Sequence, residues 1–314
     1  MVRYLLSRVG QTIVILFIVS IVVFFMMEAM PGDAIYSRLG SDITEEEYEW
    51  AYHEYGYDQP AVVRYVQWFT AAIHGDFGTS YQYKSPVKDI IAKKVPVTLY
   101  LSIVALIISV PIGVVLGVLV AVFRGKPIDT VITLICNTIA GIPQFWIALV
   151  LLYFLALKSG LLPSYGFTFP WDGFTQHIRE VIMPMTCLCL GGIAGVCRQT
   201  RSSILEVIRQ DYVRTARAKG QSEKKVIFVH VLKNGLIPVV TMIGNRLAMM
   251  VGGSMFVEQV FSIPGMGGLM VTAVTQRDTP VVQACVLLTA VVGGIAYIIT
   301  DLLYVVVDPR ISLK

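Results

Sequence analysis

Six apolar stretches divide this chain, and each is close to the length a helix needs to cross a bilayer. They fall at residues 9–30, 97–123, 130–157, 181–197, 237–256 and 281–307. A hydrocarbon layer takes roughly 20 apolar residues in helical conformation. In lipid, backbone amides must bond within their own segment, so continuous apolar runs commit the chain to helices. A β-barrel would need alternating apolar and polar positions, which these runs lack. Composition agrees, since 55% hydrophobic and 15% charged residues among 314 lie outside the range of soluble domains. The expected fold is an all-α polytopic membrane protein with six transmembrane helices.

The first apolar run follows Arg3 and Arg8, as a signal peptide would, but it is too long and no small-x-small cleavage site follows. Residues 1–30 are therefore read as an N-terminal cytoplasmic end and an uncleaved first span. Residues 31–96 form a helical extracytoplasmic insertion, acidic in its first half. Thr44 with Glu47 makes a capping box for a helix ending at Gly56. Asp58 and Pro60 start a second, ending near Gly75. Ser85 and Pro86, as cap and first helical residue, start a third. Residues 97–307 form the transmembrane core, and 308–314 a cytoplasmic tail.

The longest polar segment of the core, the loop 198–237, carries nine Lys and Arg against three acids. Ile204, Val207, Ile208, Val213 and Ala216 follow helical spacing. Gly220 then ends a helix, and Ser222 before Glu223 caps the next. This predicts two helices with a corner at 220–222. Counted by side, fifteen Lys and Arg lie with the loop, the N-terminus, the 124–127 turn and the tail, against nine on the other side. That asymmetry places both termini and the loop in the cytoplasm.

The remaining chemistry is sparse. Arg124-Gly125-Lys126-Pro127 lacks the upstream glycine and the Ser or Thr of a phosphate-binding loop, so it reads as a cytoplasmic turn. Cys136, Cys187, Cys189, Cys197 and Cys285 have no metal-type spacing. Basic residues gather at membrane edges, which argues against nucleic acid as a partner. Arg246 falls inside the fifth apolar run, where a charge is expensive and marks a path or a buried pair. Glu28 and Asp301 are the acids within this chain nearest that depth.

Seven segments occur in one order: GDFGTSYQYKSPV (75–87), VTLYLS (97–102), IPQFWIALVLL (142–152), TRSSILEVIRQDYVRTARAKG (200–220), HVLKNGLIPVVT (230–241), GGSMFVEQVFSIPGMGGL (252–269) and DPRI (308–311). On these the chain resembles the membrane permease subunits of ABC importers for dipeptides, oligopeptides and nickel, of the first permease subunit type. The resemblance covers nearly the whole chain and implies the type I ABC importer permease fold in a cell (cytoplasmic) membrane. It implies as partners a second homologous permease subunit, two ATPase subunits and an extracytoplasmic substrate-binding protein. ATP and Mg would be bound by the ATPase subunits, with no cofactor in this chain.

In that family a short helix of the cytoplasmic loop, carrying the EAA motif, inserts into the ATPase. The matching residues are Asp211, Tyr212, Arg214, Thr215, Ala216, Arg217, Ala218, Lys219 and Gly220. Arg214 stands where many importers have an acid, and the distance from Gly220 to Pro238 exceeds the general pattern. Asn245, Arg246 and Met249 are implied as lining the translocation path. Nickel or a metal chelate is the alternative substrate. A secondary transporter would show inverted repeats and paired broken spans, and an embedded enzyme would need convergent catalytic groups. Neither is visible, and His53, His74, His177 and His230 are scattered over both sides.

Overall fold

A computed structural model describes residues 2–40, 42–249, 252 and 254–307. The expected tail at 308–314, with its DPRI segment, lies outside the described residues. Among the described residues the chain is helical, apart from turns and one isolated bridge between Thr79 and Pro86. Helix α1 (Val2–Glu28) leads into three short helices, α2 (Ala34–Leu39), α3 (Glu45–Glu54) and α4 (Ala61–Ile73). Then come α5 (Val87–Val122), α6 (Pro127–Gly141), α7 (Gln144–Lys158) and α8 (Phe174–Val207). The corner helix α9 (Asp211–Ala218) precedes α10 (Glu223–Gly235) and α11 (Ile237–Ala248). The last three are α12 (Met255–Val260), α13 (Met266–Thr275) and α14 (Thr279–Val307).

Four helices are long and apolar enough to cross a membrane unbroken: α1, α5, α8 and α14. The third and fifth spans, expected over 130–157 and 237–256 with no paired broken spans among the six, are instead bent pairs. Helices α6 and α7 meet at 96°, and α10 and α11 at 45°. Six spans result when each pair counts as one. Proline explains the first break. Ile142, before Pro143, is driven out of the α region and sits at φ −89°, ψ 128°. In the second pair Pro238 occupies the first turn of α11, where a missing amide costs nothing. That helix runs from Ile237 to Ala248, and residues 250, 251 and 253 of the span expected to reach 256 lie outside the described residues.

Two other expectations fail because apolarity ends before helicity does. Helix α8 continues past residue 197 to Val207, since Arg, Gln, Leu and Glu favour helix. The third insertion helix is no separate unit either. It starts at Val87 with Pro86 in the cap position and runs unbroken to Val122, so the 96/97 boundary falls inside α5. The Ser85 hydroxyl donates to the Tyr83 carbonyl instead of capping. The capping box at Thr44 and Glu47 forms as expected, and Gly56 and Gly75 both have positive φ.

The centre of the molecule is the pairing of α5 with α8, which run parallel. Ser109, Gly113 and Gly117 lie against Gly192, Val196 and Thr200, each set spaced by four. A Cβ at Gly113 would stand 2.6 Å from the Val196 Cβ, and one at Gly117 2.5 Å from that of Thr200. Small residues thus let the backbones approach, as membrane helix pairs require. Helix α14 packs against α1 and α11, with Gly294 against Thr12 and Gly244 against Thr300. Arg8 and Asp301 pair at 2.8 Å, which brings the start of α1 and the end of α14 together. One end of the molecule therefore gathers the start of α1, the 124–127 turn, the basic loop and the end of α14. The other gathers the insertion, the 159–173 loop and residues 254–278.

Candidate functional site

At the basic end, α8 stops at Val207, the chain turns through 208–210, and α9 projects as a separate helix of eight residues. Its sequence gives it two faces. Val213 and Ala216, three apart, are buried among Ala121, Ile204, Val226 and Val231. Asp211, Tyr212, Arg214, Thr215, Arg217, Ala218, Lys219 and Gly220 are exposed. The helix thus sits on two small apolar knobs and presents polar side chains outward.

The corner after α9 is built as the glycine pattern predicts. Gly220 has φ 76°, with its amide on the Arg217 carbonyl, while the Gln221 amide reaches the Ala216 carbonyl. No atom would meet a Cβ at Gly220, so only the backbone conformation demands glycine there. Ser222 stands in the cap position of α10 without making the side-chain bond expected of it. The corner is clamped instead by Arg217, whose Nε and Nη2 donate to both Glu223 carboxylate oxygens at 3.0 and 2.6 Å. Hydrogen bonding to Glu223 raises the Arg217 pKa further. Asn234 donates to the Tyr212 hydroxyl at 2.8 Å, and His230 contacts Gln221 at 2.8 Å. Arg214 pairs with Asp211 at 3.5 Å on the open surface.

The basic turn and the loop meet in one assembly. Arg201, on α8, gives Nε and Nη2 to the Asp129 carboxylate at 3.0 and 3.1 Å, and Asp129 also accepts the Gly125 amide. Asp129 thereby fixes the 124–127 turn against α8. That link has no signal in local sequence, because 72 residues separate its two ends.

Of the residues singled out for a path, Arg246 is in the last turn of α11. Its Nη2 donates to the Gly191 carbonyl at 3.2 Å, and the guanidinium lies over Gly192 and Gly195 of α8. Neither acid considered as its partner is available. Glu28 pairs with Arg64, and Asp301 with Arg8. Asn245, on α11, and Met249, its C-cap four residues on, are exposed.

At the opposite end two buried carboxylates organise the chain, and the sequence reading passed over both. Glu258 is fully buried. It accepts from the Thr98 and Ser254 hydroxyls at 2.7 Å each and from the Gly267 amide at 2.8 Å. The Thr98 oxygen in turn accepts the Met266 amide. A carboxylate therefore sits at the N-terminus of α13, where unpaired amides and the helix dipole favour it. Gly265 and Gly267 admit it, for a Cβ on either would lie within 3.0 Å of its Oε2. Phe261, Ile263 and Met266 of the FSIPGMGG segment are at most 3% exposed, so its apolar side chains pack inward at this end. Asp278, also buried, accepts the Ser80 hydroxyl and the Tyr81 and Gln82 amides, tying the insertion to the start of α14. A lone acid within an apolar stretch was the available signal for Glu258.

Comparison with known proteins adds to this geometry. The family described as binding-protein-dependent transport system inner membrane component matches residues 113–313. Its N-terminal membrane component matches residues 1–102. The oligopeptide transport system permease protein AppB of Bacillus subtilis (strain 168) is 38% identical over 315 residues, covering 99% of this chain and all of that one. A protein of Brucella abortus (strain 2308), named as a peptide transport system permease, is 36% identical over 311 residues and 99% of both chains. Among solved structures, an inward-facing MetNI methionine ABC transporter superposes with a TM-score of 0.53 at 19% identity, covering 70% of this chain and 96% of that one.

Proposed function

Because the chain belongs to the family of binding-protein-dependent transport system inner membrane components, we propose that it is one permease subunit of an ATP-driven importer of di- and oligopeptides. The relatives named as peptide permeases support the substrate class. The basic end faces the cytoplasm, on the asymmetry of Lys and Arg, which puts both termini inside and the insertion outside. There it meets a substrate-binding protein. A second homologous permease completes the path, with Arg246, Asn245 and Met249 on this chain's side of it. ATP and Mg are held by two partner ATPase subunits, where phosphoryl transfer occurs. No catalytic role falls to this chain.

The observation that carries the proposal is α9: a helix seated by Val213 and Ala216, exposed on its polar face, and joined to α8 by the 208–210 turn and to α10 by a glycine corner. Closure of the ATPases pushes α9 as a unit, and the Arg217–Glu223 clamp passes the movement to α10 and the bent α10–α11 pair. The test is reconstituted transport with the cognate binding protein and a labelled peptide. The parent complex should take up peptide on ATP addition. Gly220→Val, forced into a left-handed backbone region hostile to a β-branched residue, should keep most ATP hydrolysis and lose uptake. Normal coupled uptake in that variant would remove α9 from the mechanism.

A further inference from the structure

The insertion walls an open cavity of about 510 Å³ between α2, α3, α4, the end of α1 and the residues before α14. That volume is in the range of small-molecule sites. Tyr48, Tyr52, Tyr55, Tyr57, Tyr81 and Trp68 supply much of its wall. Its polar groups are unevenly matched. Each of its three acids is already engaged. Glu28 pairs with Arg64; Asp33 accepts the Ile35 amide and the Tyr48 hydroxyl; Asp76 accepts the Gly78 amide. Bonding to Asp33 pushes the Tyr48 phenol up to about 12, so it stays a neutral donor.

The donors are not so matched. The Arg38 guanidinium stacks 3.4 Å from the Tyr55 ring centroid and 5.1 Å from that of Tyr81, and its N–H groups make no hydrogen bond or ion pair among the described residues. Arg277 is held at φ 56° with its guanidinium against Gly32, where a side chain could not fit, and its N–H groups likewise make no such bond among the described residues. Arg64 Nε and Trp68 Nε1 are buried without an acceptor. Asp278, next to Arg277 in sequence, is occupied by the 80–82 turn whose Tyr81 flanks Arg38. Two guanidinium groups lining one cavity, spare donors and aromatic walls call for a ligand with a planar anionic acceptor and an apolar body.

We infer that this cavity is a binding site for the carboxylate end of a short peptide, with Arg38 and Arg277 holding the carboxylate and the tyrosine wall taking an apolar side chain. The identity of the ligand rests on the peptide-import reading. The site would hold the peptide on the permease itself, beside the entry side of the core.

The test uses the purified complex with its partner subunits in nanodiscs and without the binding protein. Equilibrium dialysis with radiolabelled Ala-Phe-Ala should show binding of the free acid and about tenfold or more weaker binding of its C-terminal amide. Arg38→Gln should lower affinity for the acid by a similar factor and leave the amide unchanged. Equal binding of acid and amide, no binding of the acid, or an Arg38→Gln complex that binds like the parent would overturn the site. The acid and amide pair is read on the unaltered complex, so a folding defect in the variant cannot mimic the result. ATP-driven uptake of the same peptide, with the binding protein added, separates the two ideas. Uptake without Arg38-dependent binding sinks the cavity alone, and carboxylate binding in a complex that never imports peptide sinks the transport reading alone.

Discussion

The two ends of this molecule are held together by opposite means. At the insertion end, buried carboxylates bond to backbone amides and hydroxyls: Glu258 to the start of α13, Asp278 to the 80–82 turn. At the basic end the buried Asp129 fixes the 124–127 turn in the same way, but α9 itself rests on two small apolar side chains and an exposed ion pair. A buried carboxylate with several donors has one geometry and a steep cost for leaving it. Two knobs in an apolar socket can slide or rock at modest cost. The comparison assigns rigidity to the end proposed to receive substrate and compliance to the end proposed to receive the ATPase stroke.

The largest effect expected is from Glu258→Ala. It strands the Gly267 amide and the Thr98 and Ser254 hydroxyls in a dry site, at a cost of about 3 kcal/mol or more, so thermal unfolding of the purified protein should begin well below the parent's temperature. A variant as stable as the parent would mean the carboxylate is not structural. Asp278→Ala should cost about 2 kcal/mol and loosen the insertion first. Limited proteolysis should cut between 76 and 86 before touching the core, whereas uniform digestion would contradict a local anchor.

The basic end should yield smaller changes in stability. Val213→Ala removes two buried carbons and should cost about 1 to 2 kcal/mol, while lowering transport more than ATP hydrolysis. A cost near that of Glu258→Ala would erase the contrast between the ends. Arg217→Gln should change stability least, by less than about 1 kcal/mol, because both partners are exposed and screened by salt. Its effect should appear in coupling, and a large loss of stability would show that the clamp is part of the scaffold.

Most of the basic end was legible in sequence because its devices are local. Val213 and Ala216 follow helical spacing, and Gly220 takes the left-handed backbone its position suggests. The insertion end was legible only in part. Thr44 and Glu47 form their box within three residues, but Asp278 reaches Ser80 across 198 positions, and nothing in either neighbourhood announces the other. The break in the third span was missed for a different reason. Apolar length reports burial in lipid, whereas the direction of the helix was decided by the residue before Pro143. Arg246 was singled out for its charge, but the contact it makes is with the Gly191 backbone carbonyl, and a carbonyl has no residue type to read.

The central claim is that the exposed face of α9 meets the partner ATPase. All five cysteines, Cys136, Cys187, Cys189, Cys197 and Cys285, are buried, so the native background can be kept. A photoactivatable label on Thr215→Cys in the assembled complex should form a light-dependent adduct with an ATPase subunit, stronger when ATP closes the dimer. The same label on Asp58→Cys, in the insertion, should form none. Absence of the Thr215 adduct, or an equal one from Asp58, would contradict the account.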